Sequence, residues 1–591
     1  MNNERMSIQM QLSWQHEFHG PNPFTTEPVV VAVLDLESAR TPLTWAAAAE
    51  FTRRFTAWVD GTTSESNGQA DACDSVAILQ AVIQWSLGVL NDVRGDLQAG
   101  GVRRDLSGRL CCWLGFHEPQ LSRAVFERGL RTLTAVQNGS LDMQALNARL
   151  ADLEQACRRH HPDYQARILR VAARAHNIPV LPFVPGSRFW QFGWGKHSRV
   201  FFESFSNDDA ALGSRWQSDK PLSKQIFQSL GLPTPRFERV NDTAQLHEAA
   251  QRIGYPCVVK PVSCGGGKGV TAAITDQAGL EAAYSHARRF APTGPLMIES
   301  HQPGDDYRLV LVSGQLVAAI RRRPACVTGD GHSTVTELVD ELNRTRSANL
   351  VKSRYLRPIM KDHYLVAHLA AQGMTLDTCL PAGQRLSLRS NANLSTGGSC
   401  DDYTDQVHPQ LKAMAEQVAQ TFGIATAGLD YITTDISAPP AMGVGAFIEI
   451  NTTPGLDACV AAGWSESRIG HMVLGDIPQR IALTLHVVTE DRLGAEREQL
   501  KHTPLPAGEA LACGDLLRVG EALFACEPAE PWPAVRAALR NKSVTSLVVM
   551  CTAREIMQQG LPVDKVDRVE YLGVTLTPEW MQVLSAATPT A

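Results

Sequence analysis

Three oxygen-bearing side chains in the last third of the chain could hold a hard cation. Asp430 lies in a run at 428–436, and Glu449 and Asn451 lie in a second run at 444–451. Both runs have strand character, and residues two apart on a strand project to the same face. Glu449 and Asn451 therefore point together, with Ile448 and Ile450 turned away. A hairpin between the runs brings Asp430 to the same spot. Two carboxylates and an amide oxygen suit Mg²⁺, which takes few protein ligands and leaves room for phosphate oxygens and water. A solvated strand face carries the same residue types, so the pattern alone leaves both readings open.

Three further segments carry chemistry. In VVKPVSCGGGKGV (258–270) a strand delivers Lys260, and a loop containing Gly266, Gly267 and Lys268 follows. Glycines let backbone N–H groups approach an anion, and two lysines add charge suited to phosphates. The spacing is not that of GxxxxGK[ST], because Gly269 follows Lys268. In IESHQPGDDYRLV (298–310) a strand ends near Glu299 and a second carries Arg308. Glu299 can accept hydrogen bonds from a ribose, and Arg308 can grip a phosphate or carboxylate as a fork. In SLRSNANLSTGG (387–398) Arg389, Asn391, Asn393, Ser395 and Thr396 crowd before two glycines. That density fits a loop over a substrate carboxylate or a transferring phosphoryl group. Taken singly, each also fits a surface turn, a salt-bridged hairpin or a solvated loop.

The elements that must position these groups follow from periodicity and punctuation. Residues 1–160 are expected as a separate α/β domain, with strands at 29–36 and 110–116 and helices at 71–98 and 141–159. The stretch 161–485 is expected as a second domain. It has helices at 164–176, 219–230, 245–253 and 408–422, and strands at 257–261, 296–299 and 307–313. Thr334 and Glu337 have capping-box spacing and open a further helix. Residues 344–380 and 465–484 also read as helical. Residues 486–591 form a short α/β tail with strands at 546–551 and 566–572. An α/β (α+β) chain of three domains is the expectation for 591 residues.

Composition narrows the function classes. A hydrophobic content of 44% and a charged content of 20% describe a globular protein, and a net charge of −6 argues against a general nucleic-acid binder. No run of about 18 apolar residues suggests a membrane span, and the first residues lack the apolar core of a secretory signal. The 13 cysteines are scattered, without CxxC or zinc spacing. A cytoplasmic protein with reduced thiols is the expectation.

The order of these segments is more telling than any one of them. A lysine before a helix, a strand lysine with a glycine loop, a strand glutamate, a strand aspartate and a Glu-x-Asn strand resemble the ATP-grasp layout. The chain also resembles the cyanophycin synthetases over about 20–485. The resemblance rests on GPNPF, SDKPLSK, VVKPVSCGGGKGV, IESHQPGDDYRLVLVSG, GDGHSTVTELVDELN, RSNANLSTGG, DDYTDQVHP, AGLDYI and IEINTTPG. It implies that Lys220 and Lys260 contact adenine-side groups and phosphates, that Lys268 closes over the phosphates and that Glu299 holds the nucleotide. It further implies that Asp430, Glu449 and Asn451 bind Mg²⁺, and that Arg308 and Arg389 touch the carboxylate or the transition state.

The activity implied is ADP-forming ligation, in which a carboxylate takes the γ-phosphoryl group and an amine then displaces phosphate to give an amide. ATP and Mg²⁺ are the expected cofactors. Amino-acid-like or dipeptide substrates are the expected partners, without nucleic acid or membrane, and a homo-oligomer is expected from the resemblance. Two features depart from the pattern. The family carries a further Mur-ligase-like domain, whereas about 100 residues without a GxxGK[ST] loop follow here. The helix AILQAVIQWSLGVLND lacks the histidine expected in that family. The expectation is therefore a stand-alone ligase of small molecules. Alternatives are a γ-glutamyl ligase of the glutathione-synthetase type, a non-catalytic nucleotide-binding relative, or a subunit completed by a separate Mur-type partner.

Overall fold

The computed structural model describes residues 11–35, 49–51, 75–347, 355–441, 443–476 and 478–588. The first residues of the helix expected at 71–98, the end of the strand expected at 29–36 and part of 344–380 lie outside them. The chain forms two compact units, one of Met1–Val200 with Asp476–Ala591, the other of Phe201–Gly475. In this division the C-terminal stretch groups with the N-terminal one.

The run VVVAVLD shows why. It forms the strand Val29–Asp35, paired with Gln11–Phe18 on one side and Leu110–Gly115 on the other, with Gly100–Arg104 beyond. Successive strand residues face opposite sides. Val30 and Leu34 enter a core shared with the helices Ser75–Asp92, Pro119–Gln137 and Met143–His160. Val29 and Val31 enter a second core, built with Leu483, Leu485, Val487, Leu547 and Trp580 from the C-terminal stretch. A strand apolar on both faces needs cover on both, and the C-terminal layer supplies one of them. That layer holds a six-stranded sheet in the order Ala522–Ala525, Leu516–Val519, Glu509–Cys513, Ser546–Thr552, Ala482–Val488, Arg568–Leu572. The helix expected at 465–484 is shorter, ending at Leu474. Residues from Ala482 are the first strand of this sheet.

The second unit holds two antiparallel sheets of four and five strands, as well as the two-stranded pair Cys326–Thr328 and Arg385–Ser387. The smaller has the order Thr271–Ile274, Cys257–Pro261, Leu296–Ser300, Phe237–Val240, packed on helices Thr243–Ile253 and Gln277–Phe290. The larger has the order Ser399–Asp402, Gln315–Arg323, Asp305–Val312, Thr426–Thr433, Gly445–Asn451. Its core takes Phe227 from the helix Lys220–Ser229, and Leu411, Val418 and Phe422 from Pro409–Phe422. Thr334 and Glu337 form the expected capping contacts, with Glu337 N donating to Thr334 Oγ1 at 3.3 Å and Thr334 N to Glu337 Oε2 at 2.8 Å. Among its described residues the basic stretch expected as helical holds the end of the helix Val335–Ser347 and the helix His363–Ala370. No described helix is long and apolar enough to cross a membrane.

Candidate active site

The lysine strand and the glutamate strand are neighbours. In their register Lys260 faces Met297 and Val258 faces Glu299, so Lys260 and Glu299 are diagonal on one face, within reach of long side chains. Lys260 Nζ meets Glu299 Oε1 at 2.6 Å. The other oxygen, Oε2, is taken by Lys224 Nζ at 2.9 Å. All three side chains are buried. Burial alone would raise the Glu299 carboxyl, but Lys224 and Lys260 outweigh it and bring it down to about 2. Burial, together with Lys260, lowers the Lys224 ammonium to about 8 despite Glu299.

Lys224 belongs to the helix opened by Asp219, whose Oδ1 accepts from Leu222 N at 3.1 Å, with a proline in the first turn. Lys220 stands four residues earlier, on the same helix face. Its Nζ donates to Cys264 O at 3.1 Å and lies 3.5 Å from Glu449 Oε2. One helix thus ties the glycine-rich loop to the Glu-x-Asn strand. Lys224 makes a second tie. Its Nζ reaches Thr234 Oγ1 at 3.2 Å, and that hydroxyl donates to Phe447 O at 2.8 Å.

The expected hairpin is present. Asp430 pairs directly with Glu449, and Gly428 with Asn451, so both pairs share one face. A register shift beyond Asp430 lets Phe447 and Ile450 both enter the core while Glu449 and Asn451 stay on the opposite side. Asp430 is buried between two guanidinium groups. Arg308 Nε lies 2.7 Å and Arg322 Nη2 3.2 Å from its Oδ1, and Arg322 also holds Asp306 at 2.6 Å. Burial pushes Asp430 up, but Arg308 and Arg322 hold it below the ordinary range. Asp306 goes the other way. Its burial, with the charge of Asp430 added, exceeds the pull of Arg322. Gly428 makes this packing possible, since a Cβ there would stand 2.7 Å from an Arg308 Nη.

The glycine-rich loop is exposed, with Gly266 and Gly267 at φ 66° and 75°, in the left-handed region that glycine adopts at no steric cost. Among the described residues Lys268 has no side-chain partner. Asn393 Nδ2 donates to Gly266 O at 3.0 Å, which docks the polar 387–398 segment on this loop. Arg389 is engaged elsewhere. Its two Nη groups grip both oxygens of Asp362 at 2.7 and 3.0 Å, and one also donates to Met360 O at 2.8 Å. Asp362 in turn caps the helix His363–Ala370.

The structure therefore links Lys220, Lys260, Glu299, Glu449, Asp430, Asn451 and Arg308 through neighbouring contacts and register, and joins Gly266 to Asn393. It shows no contact between Arg389 and that network. Lys224, Thr234, Asp306 and Arg322 were not anticipated. The four-residue spacing of Lys220 and Lys224 was a legible signal for the first. The others depend on strand pairing. Among the described residues no group of three or more His, Cys, Asp and Glu converges as a metal cluster.

Comparison with known proteins agrees with this geometry. The ATP-grasp domain family matches residues 225–305, which hold Lys260, the glycine-rich loop and Glu299. Cyanophycin synthetase of Crocosphaera subtropica is 33% identical over 334 residues, covering 56% of this chain and 38% of the relative. That of Synechocystis sp. is 33% identical over 367 residues, covering 62% and 40%. The chain is thus similar to cyanophycin synthetases and carries a match to the ATP-grasp domain at residues 225–305. The chain is also similar to the glutathione biosynthesis bifunctional protein of Desulfotalea psychrophila, 30% identical over 263 residues, covering 44% of this chain and 34% of that one. In each case the chain spans two fifths or less of the relative's length.

Proposed function

We propose that the chain is an ATP-dependent carboxylate–amine ligase that joins amino-acid-like substrates and releases ADP and phosphate. The observation that carries this reading is the convergence of Lys220, Lys260 and Lys224 with Glu299 and Glu449 beside a glycine-rich loop. Phosphoryl transfer needs charge neutralisation and in-line positioning more than a covalent nucleophile, and the site is rich in fixed cations.

In this reading Glu299, clamped by lysines, accepts from the ribose of ATP. Lys260 turns to the phosphates, and Lys268 folds over them with its loop. The substrate carboxylate oxygen attacks the γ-phosphorus and ADP departs. The amine nitrogen then attacks the carbonyl carbon of the acyl phosphate, phosphate leaves with the C–O electron pair, and the nitrogen loses a proton. Asp430, Glu449 and Asn451 offer a hard-oxygen donor set of the kind Mg²⁺ takes. Both arginines meet Asp430 at its Oδ1, and the register puts Glu449 and Asn451 on the same face of the sheet. Bound there, Mg²⁺ would neutralise phosphate charge. Arg308 and Arg322 keep Asp430 ionised for that role. The free state of all twelve described cysteines fits a reducing, cytoplasmic setting.

A second version, a γ-glutamyl ligase of the glutathione-synthetase type, draws on the similarity to a glutathione biosynthesis protein. The test is ADP release by the purified protein with ATP, Mg²⁺ and all pairs of common amino acids, with mass spectrometry of the products. The expected result is ADP with a product lighter by one water than the summed substrates. AMP instead of ADP would overturn the acyl-phosphate route.

A further inference from the structure

Three charged groups share the buried contact at Glu299, and they do not balance. Lys224 and Lys260 supply two positive charges and Glu299 one negative, all within 2.9 Å. The other neighbours of Lys224 leave the surplus in place. Thr234 and the Phe237 ring, 5.8 Å from Nζ, are neutral, and Glu449 pairs with a different lysine, Lys220. A buried charge without a partner is costly, and a simple pair would serve folding better. A surplus cation in a closed site is suited to an anion that arrives later.

The two lysines are not equivalent. Lys224 is completely buried, bound to Glu299 and Thr234 and lying over the Phe237 ring, and so is fixed on every side. Lys260 stands on a strand that runs directly into the glycine-rich loop, and its side chain retains slight exposure. We propose that Lys224 is the permanent counter-ion of Glu299, a positioning residue that lets Lys260 exchange that carboxylate for a phosphate oxygen of the nucleotide. This rests on the ATP-binding reading above. Without Lys224, withdrawal of Lys260 would leave Glu299 buried and bare. The protein would then resist releasing Lys260, and phosphates would bind weakly. The effect belongs to phosphates alone, because adenosine makes no demand on Lys260.

The experiment compares ATP and adenosine affinity by calorimetry in the full chain carrying Lys224→Met, Lys224→Arg or Lys224→Met with Glu299→Gln, alongside thermal melting. Lys224→Met leaves a balanced Lys260–Glu299 pair and is expected to keep its melting temperature. Its ATP dissociation constant is expected to rise at least tenfold, while that of adenosine changes less than threefold. Lys224→Arg, which keeps the charge, should restore most of the ATP affinity. The double variant, which no longer binds Lys260 to a carboxylate, should bring the ATP-to-adenosine ratio back towards that of the wild type. Equal loss for both ligands, or unchanged ATP affinity in a folded Lys224→Met protein, overturns the proposal. If Lys224→Met alone fails to fold, the surplus-charge argument fails with it. Absence of ATP binding by the unmodified protein would instead refute the ATP-binding reading itself.

Discussion

Replacing Glu299 by Gln removes the one anion in contact with two buried ammonium groups. Its carboxyl stands at about 2 against an ordinary 4.5. At about 1.4 kcal/mol per pKa unit, the ionised group contributes roughly 3 kcal/mol at neutral pH. Removing one partner of a buried ion pair costs about 3–5 kcal/mol, the same range. The folded-state value lies below the unfolded one, so the contribution is complete above about 4.5 and is lost as the pH falls towards 2. Lys224 adds a second signature. Its value of about 8 lies below the ordinary 10.5, so the folded state is penalised below pH 8 and gains stability as the pH rises from about 8 to 10.5. Amide hydrogen exchange of Cys257–Pro261 and Leu296–Ser300 reads this sheet directly. At pH 7 the Gln variant should exchange there on the order of a hundredfold faster, the equivalent of about 3 kcal/mol, and the gap should narrow between pH 5 and pH 3. Exchange within threefold of wild type at pH 7, or a gap that does not narrow in acid, would refute the account of this triad.

Glu449→Gln is expected to abolish Mg²⁺-dependent turnover with circular dichroism unchanged. Normal turnover by that folded variant would remove Glu449 from the metal site. Lys268→Ala, at an exposed position whose side chain has no partner among the described residues, should leave stability within about 0.5 kcal/mol and raise the KM for ATP several-fold, checked by steady-state kinetics. Arg389→Ala should destabilise by about 1–3 kcal/mol in urea unfolding, since it removes a buried guanidinium from a double ion pair with the half-buried Asp362. Full stability with lost turnover would show that Arg389 acts on substrate instead.

Much of this site was legible in local sequence. The alternation within the second run put Glu449 and Asn451 on one face, to which a hairpin could bring Asp430; that Asp430 pairs directly with Glu449 is a matter of register. The strand Cys257–Pro261 has the bounds that its flanking turn and apolar run predict. These features depend on period-two patterning and on glycine and proline punctuation, which act over a few residues. Lys224 was within reach through its spacing from Lys220, but its importance was not, because nothing local says which of two helix lysines is buried.

What the chain determined by itself is the type of each element and the chemistry each one carries: lysines before a flexible loop, carboxylates on strands, a capped helix. What only the tertiary structure decided is which charges share a contact. Arg322 and Arg308 meet Asp430 because strand Asp305–Val312 lies between Gln315–Arg323 and Thr426–Thr433 in one sheet. Arg389 is drawn to Asp362, 27 residues away in sequence. The C-terminal stretch also owes its place to a long-range demand, since a strand apolar on both faces needs a second covering layer. Electrostatic partners and core layers are chosen by distance in space, and in each of these cases the partners come from segments that local patterning could not connect.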